Sequence, residues 1–486
     1  MTDIALISLP KLDIKAPLLA LGQLKSCVES NGFICKTFDF NMWLYQNTKN
    51  TELSTIWDPL DSTLTDEKML QLKQQEITEF ANRFINEIIY PVNPKIIGLT
   101  VFSFWTFPVL KLFLKELKKI YSGKIIIGGP ALTSLQEQNI KEVELLIKNN
   151  LIDDFISGDA ELSLVEYLKG NKLFPGINNY AYNNNFVRDD IPFADFSDFD
   201  LSIYKSHLYI SASRGCVRKC SFCNVPLLWS KYTSKSAEHI FKEITNYRKK
   251  YNIGHFRFVD SLVNGNQKLF LDLLKKLSDY NKRNVEKITW SGQFIVREIN
   301  QTPVEMFDLI KSSGCATLII GIESGSEKVR YELKKPFSNQ AVEFYLENFD
   351  RVGLKDIQPL MFVGFPTENS DDFQKSLDIL DLFSKYKCVS KIGCEHPMLV
   401  IPGTPVHIEM EHYDIEHYED YFNWTSKHND YQTRIERFFI FIDKARKLGL
   451  YPASIGGSQN IFADFYKHSV VNKNLDVLKI IEGKKD

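Results

Sequence analysis

The 486-residue sequence predicts an α/β protein with a doubly wound parallel sheet, a second strand–helix series of barrel type, and a small, mainly helical C-terminal region. Two observations predict the sheets. Short apolar runs alternate with helix-spaced segments over residues 1–170, and the alternation restarts at His207, giving six further strand-like runs. A third observation separates them: IPFADFSDFDLSIY is rich in Asp, Phe and Ser, lacks periodicity, and reads as a connection. The expected domains are therefore 1–190, 191–410 and 411–486.

In the first series, Asp3–Ser8 is an apolar run, and Pro17–Ser30 has helical spacing that stops at Asn31-Gly32. Cys35–Phe40 reads as a second strand and Met69–Ile89 as a helix with a solvated face rich in Gln and Glu. Lys95–Ser103 and Lys124–Gly129 are buried-type strands on either side of a helix, Pro108–Tyr121, that carries four lysines on its outer side. Asp154–Gly158 is a fifth strand, followed by helix Glu161–Lys169. Ligands on such sheets sit at the carboxyl ends of the strands, which here read Thr100 to Ser103, Gly128-Gly129-Pro130 and Ser157-Gly158-Asp159. Asn178–Asp190 reads as a small hairpin turning at Asn183-Asn184-Asn185.

In the second series the strands are Leu208–Ala212, His255–Asp260, Ile288–Gln293, Thr317–Glu323, Asp356–Phe365 and Ser390–Val400. Helical segments Ala237–Tyr251, Gln267–Tyr280, Pro303–Ser313, Asn339–Val352 and Ser370–Lys385 separate them. Six strands in such a series suggest a barrel or an incomplete barrel, with its chemistry at the strand C-termini. Beyond it, Glu409–Trp424 is aromatic and acidic, and Thr433–Leu448 is a basic amphipathic helix.

Composition narrows the class. The 59 basic and 61 acidic side chains leave a net charge of −2, with no basic excess to advertise nucleic acid. The longest apolar stretch, Ile96–Leu110, contains Thr100, Ser103, Thr106 and Pro108, and is too short and polar to span a membrane. The N-terminus lacks the basic start and apolar core of a secretory signal. The expectation is a cytoplasmic protein without a membrane or nucleic-acid partner.

The chemistry concentrates in one place. Cys216, Cys220 and Cys223 form CxxxCxxC within SRGCVRKCSFCNVP, directly after the first strand of the second series. Three thiolates on a short loop can hold three irons of a 4Fe-4S cluster and leave the fourth free for a ligand. Zinc is the alternative, but it asks for four ligands and no further Cys or His lies nearby in sequence. Cys27, Cys35, Cys315, Cys388 and Cys394 are scattered and read as small buried hydrophobes in a reducing compartment.

The cysteine segment, with Phe222 before its last Cys, resembles the signature of radical S-adenosylmethionine (SAM) enzymes, and the resemblance runs through most of residues 205–405. It implies a partial (β/α)6 barrel in which the free iron binds SAM and reductive cleavage yields a 5′-deoxyadenosyl radical. FVDSLVNGN (258–266) takes the place of the family's second-strand Gly-Gly-Glu, which implies Asp260 and Ser261 as contacts to SAM. WSGQF (290–294) offers Gln293, GIESGSEKV (321–329) offers Glu323 and Ser324, and FVGFPTE (362–368) offers Gly364 beside the adenine. PGTP (402–405) closes the sixth unit. Taken singly, Glu323 reads as a salt-bridge partner, Gly364 as a turn glycine and Asp260 as a helix cap; it is their order after CxxxCxxC that argues for the family.

IIGLTVFS, KIIIGGP and FISGDAELSLVEYL, with PLLALGQLKSCVESNG, resemble the cobalamin-binding Rossmann-like domain that precedes the barrel in a large radical SAM class. This implies Thr100, Phe102, Ser103, Gly128, Gly129, Pro130, Gly158 and Glu161 as cobalamin contacts. The rival is a dinucleotide site, but no GxGxxG follows the first strand. No histidine precedes His207, so the Asp-x-His-x-x-Gly loop that ligates cobalt elsewhere is absent.

Together the resemblances imply an oxygen-sensitive enzyme with three cofactors: a 4Fe-4S cluster, SAM and cobalamin. The activity they imply is methyl transfer to an unactivated carbon of a small-molecule or peptide substrate. One SAM would methylate cobalamin and a second would supply the radical, with electrons from a donor such as flavodoxin or ferredoxin. A non-methylating rearrangement or cyclisation is the first alternative and methylthiolation the second; a non-catalytic iron–sulfur protein would have no need of the SAM-like segments. Glu395 and His396 are the candidates for acid–base work, set on opposite sides of the sixth strand.

Overall fold

The computed structural model describes residues 2–57, 67–133, 137–180, 189–204, 207–389 and 391–452. The hairpin turn expected at residues 183–185 lies outside them. The chain divides into two compact units, Met1–Tyr209 and Ile210–Asp486.

The first unit is built on five parallel strands: β1 (Ile4–Ser8), β2 (Cys35–Asp39), β3 (Ile96–Thr100), β4 (Lys124–Gly128) and β5 (Asp154–Ile156). Their order is β2-β1-β3-β4-β5, a doubly wound arrangement whose direction reverses between β1 and β3. Alternate residues of each strand enter different cores. Ala5, Ile7, Ile97 and Leu99 join the cluster on one face, while Ile4, Leu6, Ile126 and Ile156 join the other. Both faces are therefore buried, which is why these strands read as continuous apolar runs.

The strand ends differ from the sequence reading where turn hydrogen bonds capture the chain. β3 stops at Thr100 rather than Ser103, because the chain turns into a 3-10 segment, Phe104–Thr106, capped reciprocally by Ser103 and Thr106. β5 stops at Ile156 because the Ser157 amide donates to the Gly176 carbonyl, 2.9 Å away. Two further helices are present, Phe40–Thr48, capped by Asp39, and Glu137–Lys148.

The second unit holds β6 (His207–Ile210), β7 (His255–Phe258), β8 (Thr289–Phe294), β9 (Cys315–Glu323) and β10 (Ile357–Met361), in the spatial order β10-β9-β8-β7-β6. The β7–β8, β8–β9 and β9–β10 pairs are parallel. Helices Ala237–Tyr251, Gln267–Arg283, Glu305–Ser312, Asn339–Arg351 and Ser370–Ser384 connect them, each close to its expected position, and a short helix, Glu327–Glu332, is added after β9.

The sixth strand is the main departure. Ser390–Val400 is expected as a strand, but among the described residues of that segment only Lys391–Ile392 is one, and it pairs with Tyr451–Pro452. Two isolated parallel bridges, Ile357 to Val389 and Leu360 to Gly393, tie the segment to β10. Beyond Gly393 the chain is irregular and carries Pro397 and Pro402, which cannot donate to a ladder. The C-terminal region is not purely helical either. A two-stranded antiparallel ribbon, Ile415–Tyr418 with Trp424–Ser426, precedes the helix Tyr431–Lys447. Tyr413, Tyr418 and Trp424 pack with Phe362, Phe365, Met398 and Val400. Among the described residues no helix is long and apolar enough to cross a membrane.

Candidate functional site

Cys216, Cys220 and Cys223 lie on the loop after β6, behind a short ribbon that pairs Ser213–Arg214 with Thr233–Ser234. Gly215 opens the loop with φ +78, and a Cβ there would run into the Lys231 carbonyl oxygen. The Arg218 and Val225 amides donate to the Cys216 and Cys223 sulfurs at 3.4 and 3.5 Å. Burial pushes the Cys220 thiol up to about 12 and raises Cys223, while the nearby Lys335 ammonium acts downward on both. Three thiolates in such a loop need positive charge beside them, which the irons of a cluster would supply. Among the described residues no three His, Cys, Asp or Glu side chains converge on a single metal-ion position. A cubane takes each thiolate at a separate corner. The donor set fits a cluster held by three cysteines. Phe222 packs edge-on to Phe362, ring centroids 5.2 Å apart, and so joins the cysteine loop to the end of β10.

Asp260 follows β7 and is buried. Its carboxylate accepts from the Ala212 amide at 3.0 Å and the Ser213 hydroxyl at 2.5 Å. Burial raises its pKa to about 6. The side chain thus steadies the run-in to the cysteine loop. Ser261 is half-buried and Gln293, near the end of β8, is exposed.

Glu323 ends β9 in the left-handed region, φ +71, at a register shift against β10. Its carboxylate meets Lys335 at 2.6 Å, and Lys335 also donates to the Gly321 carbonyl at 3.0 Å. A Cβ on Gly321 would lie 2.5 Å from both charged groups, so the pair exists because residue 321 has no side chain. Lys335 is buried, and its pKa is pulled in two directions: burial lowers it, while Glu323, Cys220 and Cys223 raise it further, for a net rise. Its turn is tied to the cysteine loop by the Ser221 amide, 3.3 Å from the Leu333 carbonyl. Sequence reasoning missed Lys335, although it lies only twelve residues beyond Glu323. Ser324 is fully buried, and its hydroxyl meets Ser376 at 3.1 Å and accepts from the Ser326 amide. The hydroxyl expected to face SAM is therefore engaged inside the protein.

Gly364 adopts φ +80, and a Cβ there would fall 2.6 Å from Cγ of Arg434. Its amide donates to Glu368 at 2.9 Å. Glu368 is buried, which raises its pKa to about 7 against the opposing pull of the Gly364 amide and Arg437. Arg437 contacts Glu368 at 3.2 Å and Asn429 at 2.6 Å, while Asn429 donates to the Phe365 and Glu368 carbonyls. The C-terminal region is thus what fastens the glycine turn after β10, a task the sequence reading did not assign to it.

Glu395 and His396 are not on a strand, so the alternation that set them on opposite sides lapses. His396 Nδ1 lies 2.7 Å from the Pro397 carbonyl, and burial lowers its pKa. Cys27, Cys35, Cys315, Cys388 and Cys394 are all buried.

In the first unit, the residues expected around cobalamin gather at the ends of adjacent strands β3, β4 and β5. Thr100 closes β3, Phe102 is 44% exposed, and Ser103 caps the following turn. Gly128 ends β4 and Pro130 is exposed. Gly129 has φ +124, and a Cβ would sit 2.5 Å from the Val101 carbonyl oxygen, so the chain itself requires glycine there. The Gly158 amide donates to Thr133 at 3.1 Å, while Glu161 is buried in the next helix. An exposed aromatic ring beside small residues leaves this edge approachable by a flat ligand, at the end of the sheet where such folds bind ligands.

Residues 210–380 match the profile of the radical SAM superfamily. Two solved radical SAM enzymes share its fold. TsrM of Kitasatospora setae, a radical SAM methyltransferase solved with cobalamin and a 4Fe-4S cluster, superposes with a TM-score of 0.62 at 14% identity, covering 88% of this chain and 83% of TsrM. OxsB, solved with aqua-cobalamin and SAM, gives 0.64 at 14% identity, covering 96% of this chain and 70% of OxsB. Curated relatives by sequence are methylthiotransferases. The tRNA-2-methylthio-N(6)-dimethylallyladenosine synthase of Campylobacter jejuni is 26% identical over 320 residues, 63% of this chain and 68% of the relative. The ribosomal protein uS12 methylthiotransferase of Pseudothermotoga lettingae is 26% identical over 220 residues, 42% of this chain and 47% of the relative. The chain thus spans between about half and two thirds of the length of such relatives.

Proposed function

We propose that this chain is a radical SAM methylase that places a methyl group on an unactivated carbon, with cobalamin as the methyl carrier. The observation that carries this reading is the breadth of the likeness to TsrM and OxsB. It runs over 88% and 96% of the chain, so it includes the Met1–Tyr209 unit, whereas the superfamily profile stops at the barrel. When bound, the cluster supplies the electron that cleaves SAM to a 5′-deoxyadenosyl radical, and cobalamin supplies the methyl group.

The chain's own residues have defined tasks in this reading. Cys216, Cys220 and Cys223 hold the cluster, with the Arg218 and Val225 amides donating to two of the sulfurs. Lys335 sets one buried positive charge against these thiolates and Glu323. Asp260 fixes the loop's entry, and Gly364 forms the turn expected beside the adenosyl group, packed against Arg434. Thr100, Phe102, Ser103, Gly128 and Gly158 form the edge for cobalamin. No histidine precedes His207, so residues 1–206 offer cobalt no imidazole. A small reduced flavoprotein or ferredoxin is the expected electron source.

Methylthiolation is the second reading, favoured by the sequence relatives. It needs a sulfur donor as well as a methyl donor. The Met1–Tyr209 unit has only Cys27 and Cys35, both buried.

The test is anaerobic turnover with SAM, reductant and a substrate pool. The methylase reading expects a product heavier by one methyl group, with S-adenosylhomocysteine and 5′-deoxyadenosine in near-equal amounts. A product that also gains sulfur selects methylthiolation, and deoxyadenosine without S-adenosylhomocysteine selects a rearrangement. Protein mixed with hydroxocobalamin and desalted should keep the corrin spectrum; its complete loss rejects the carrier.

A further inference from the structure

We infer that Arg218 and Arg297 form a binding site for an anionic group, a carboxylate or a phosphate, on the reacting substrate. Both lie in the second unit, on loops that leave the carboxyl ends of β6 and β8, and Gly265 on the loop after β7 joins them. The Arg218 guanidinium donates to the Val296 carbonyl at 3.1 Å, the residue just before Arg297. The Arg297 guanidinium donates to the Gly265 carbonyl at 3.1 Å.

The frame around the pair is rigid. Buried Asn264 bridges the second and third loops, donating to the Ile295 carbonyl at 2.8 Å and accepting from its amide at 3.0 Å. The Arg297 amide donates to the Tyr345 hydroxyl at 3.4 Å, and that hydroxyl lies 2.7 Å from Thr302. Such anchoring costs little ordering when a ligand arrives.

Charge is what the pair lacks. Each guanidinium is held by a backbone carbonyl, and among the described residues no carboxylate pairs with either. Glu298, next in sequence to Arg297, accepts from the Ser338 amide at 2.7 Å and its hydroxyl at 3.2 Å. Nη1 of Arg297 is buried without a hydrogen-bond partner. Burial lowers the Arg297 pKa, and the Arg218 guanidinium adds to that lowering. Two like charges in one another's field, one with a dry donor unspent, are relieved by an anion that takes a fork from each. Arginine's planar donors suit carboxylate and phosphate oxygens.

The location assigns the anion to the substrate. Arg218 sits between Cys216 and Cys220, so a group held there is delivered to the edge of the cysteine loop. Lys335, on the β9 side, is a separate buried cation beside Glu323 and the cysteines. The inference rests on the radical SAM reading for the position of the reacting centre, but the binding test below does not depend on catalysis.

The test is equilibrium dialysis of the full-length, iron-loaded chain against labelled inorganic phosphate at low ionic strength. The parent should retain phosphate, and Arg297→Gln and Arg218→Gln should each weaken retention at least tenfold. Arg297→Lys, which keeps the charge but loses the fork, should fall between. Iron content is measured on every variant, so a folding or cluster defect in one is told apart from loss of the anion. Addition of SAM should leave phosphate bound. Displacement of phosphate by SAM, but not by decarboxylated SAM, would give the pair to the SAM carboxylate and overturn the assignment. Absent retention in the parent, or unchanged retention in both Gln variants, would overturn the site itself. Failure of the methylase reading shows instead in the turnover products, with phosphate retention intact.

Discussion

Asp260→Asn isolates the charge on the carboxylate that steadies the cysteine loop. In the parent, burial raises Asp260 from its ordinary 3.8 to about 6, against the downward pull of Ser213 and the Ala212 amide. The folded state therefore binds this proton more tightly than the unfolded state does. The stability it contributes is complete below about pH 4 and is lost as pH rises through about 6. The rise from 3.8 to about 6 corresponds to ~3 kcal/mol. Asparagine keeps the shape and mimics the protonated form: its carbonyl can accept from the Ala212 amide and its NH2 can donate to the Ser213 hydroxyl. Urea unfolding of parent and variant should be measured at matched pH from 4 to 8. The Asn variant should gain on the parent by ~3 kcal/mol across that window, nearly all of it between pH 4 and 7. The difference between the two proteins cancels the other titrating groups. Asp260→Ala is the control for shape. It leaves the Ala212 amide and Ser213 hydroxyl without an acceptor at ~1–3 kcal/mol each, and should lower iron retention as well as stability. A flat difference curve for Asp260→Asn would refute the claim that burial raises the Asp260 pKa in the folded state.

Other perturbations separate the parts of the site. Cys220→Ser should abolish the cluster's iron and visible absorbance, while Cys35→Ser, in a buried strand of the other unit, should leave both intact. Lys335→Met should cost about 3–5 kcal/mol by stranding the Glu323 carboxylate, and pairing it with Glu323→Gln should recover much of that loss in a double-mutant cycle. Gly364→Ala should cost about 1–2 kcal/mol for its left-handed backbone, and should weaken SAM binding because Arg434 must move from a position 2.6 Å from the new Cβ; calorimetric titration and thermal unfolding read the two effects.

Two kinds of fold information were written plainly in the sequence. Strands buried on both faces announce themselves as runs such as KIIIGG, because each alternate side chain must satisfy a different core. Helices with one apolar stripe, such as Ala237–Tyr251, announce themselves by period. What stayed illegible was decided by single hydrogen bonds or single prolines. The Ser157 amide's bond to Gly176 ends β5 two residues early, and that partner is 19 positions away in sequence. The sixth strand failed for a related reason: Ser390–Val400 is apolar enough, but Pro397 removes a donor and only Val389 and Gly393 bridge to β10.

The site was legible where motif spacing carries the chemistry and illegible where it is made by distant pairs. CxxxCxxC is legible because its three candidate ligands are close in sequence. Asn429 and Arg437 do not, since their partner Glu368 lies more than sixty residues upstream and nothing in a helix of basic residues distinguishes an arginine that faces solvent from one that is buried against a carboxylate. The same limit hides the neighbours that Ser324 and Asp260 bond to. Both stand at strand ends where ligands bind, but a strand end offers backbone as well as side chain, and a short polar side chain there more readily satisfies the neighbouring loop than an incoming molecule. Ser324 does so through Ser376 and Asp260 through Ala212 and Ser213. Glu323 is different because its left-handed backbone and the missing side chain at Gly321 leave its carboxylate facing a buried lysine that is itself within the field of two cluster cysteines. A substitution at Glu323 should therefore disturb cluster and ligand together, whereas one at Ser324 should disturb only the packing of β9 against the helix Ser370–Ser384.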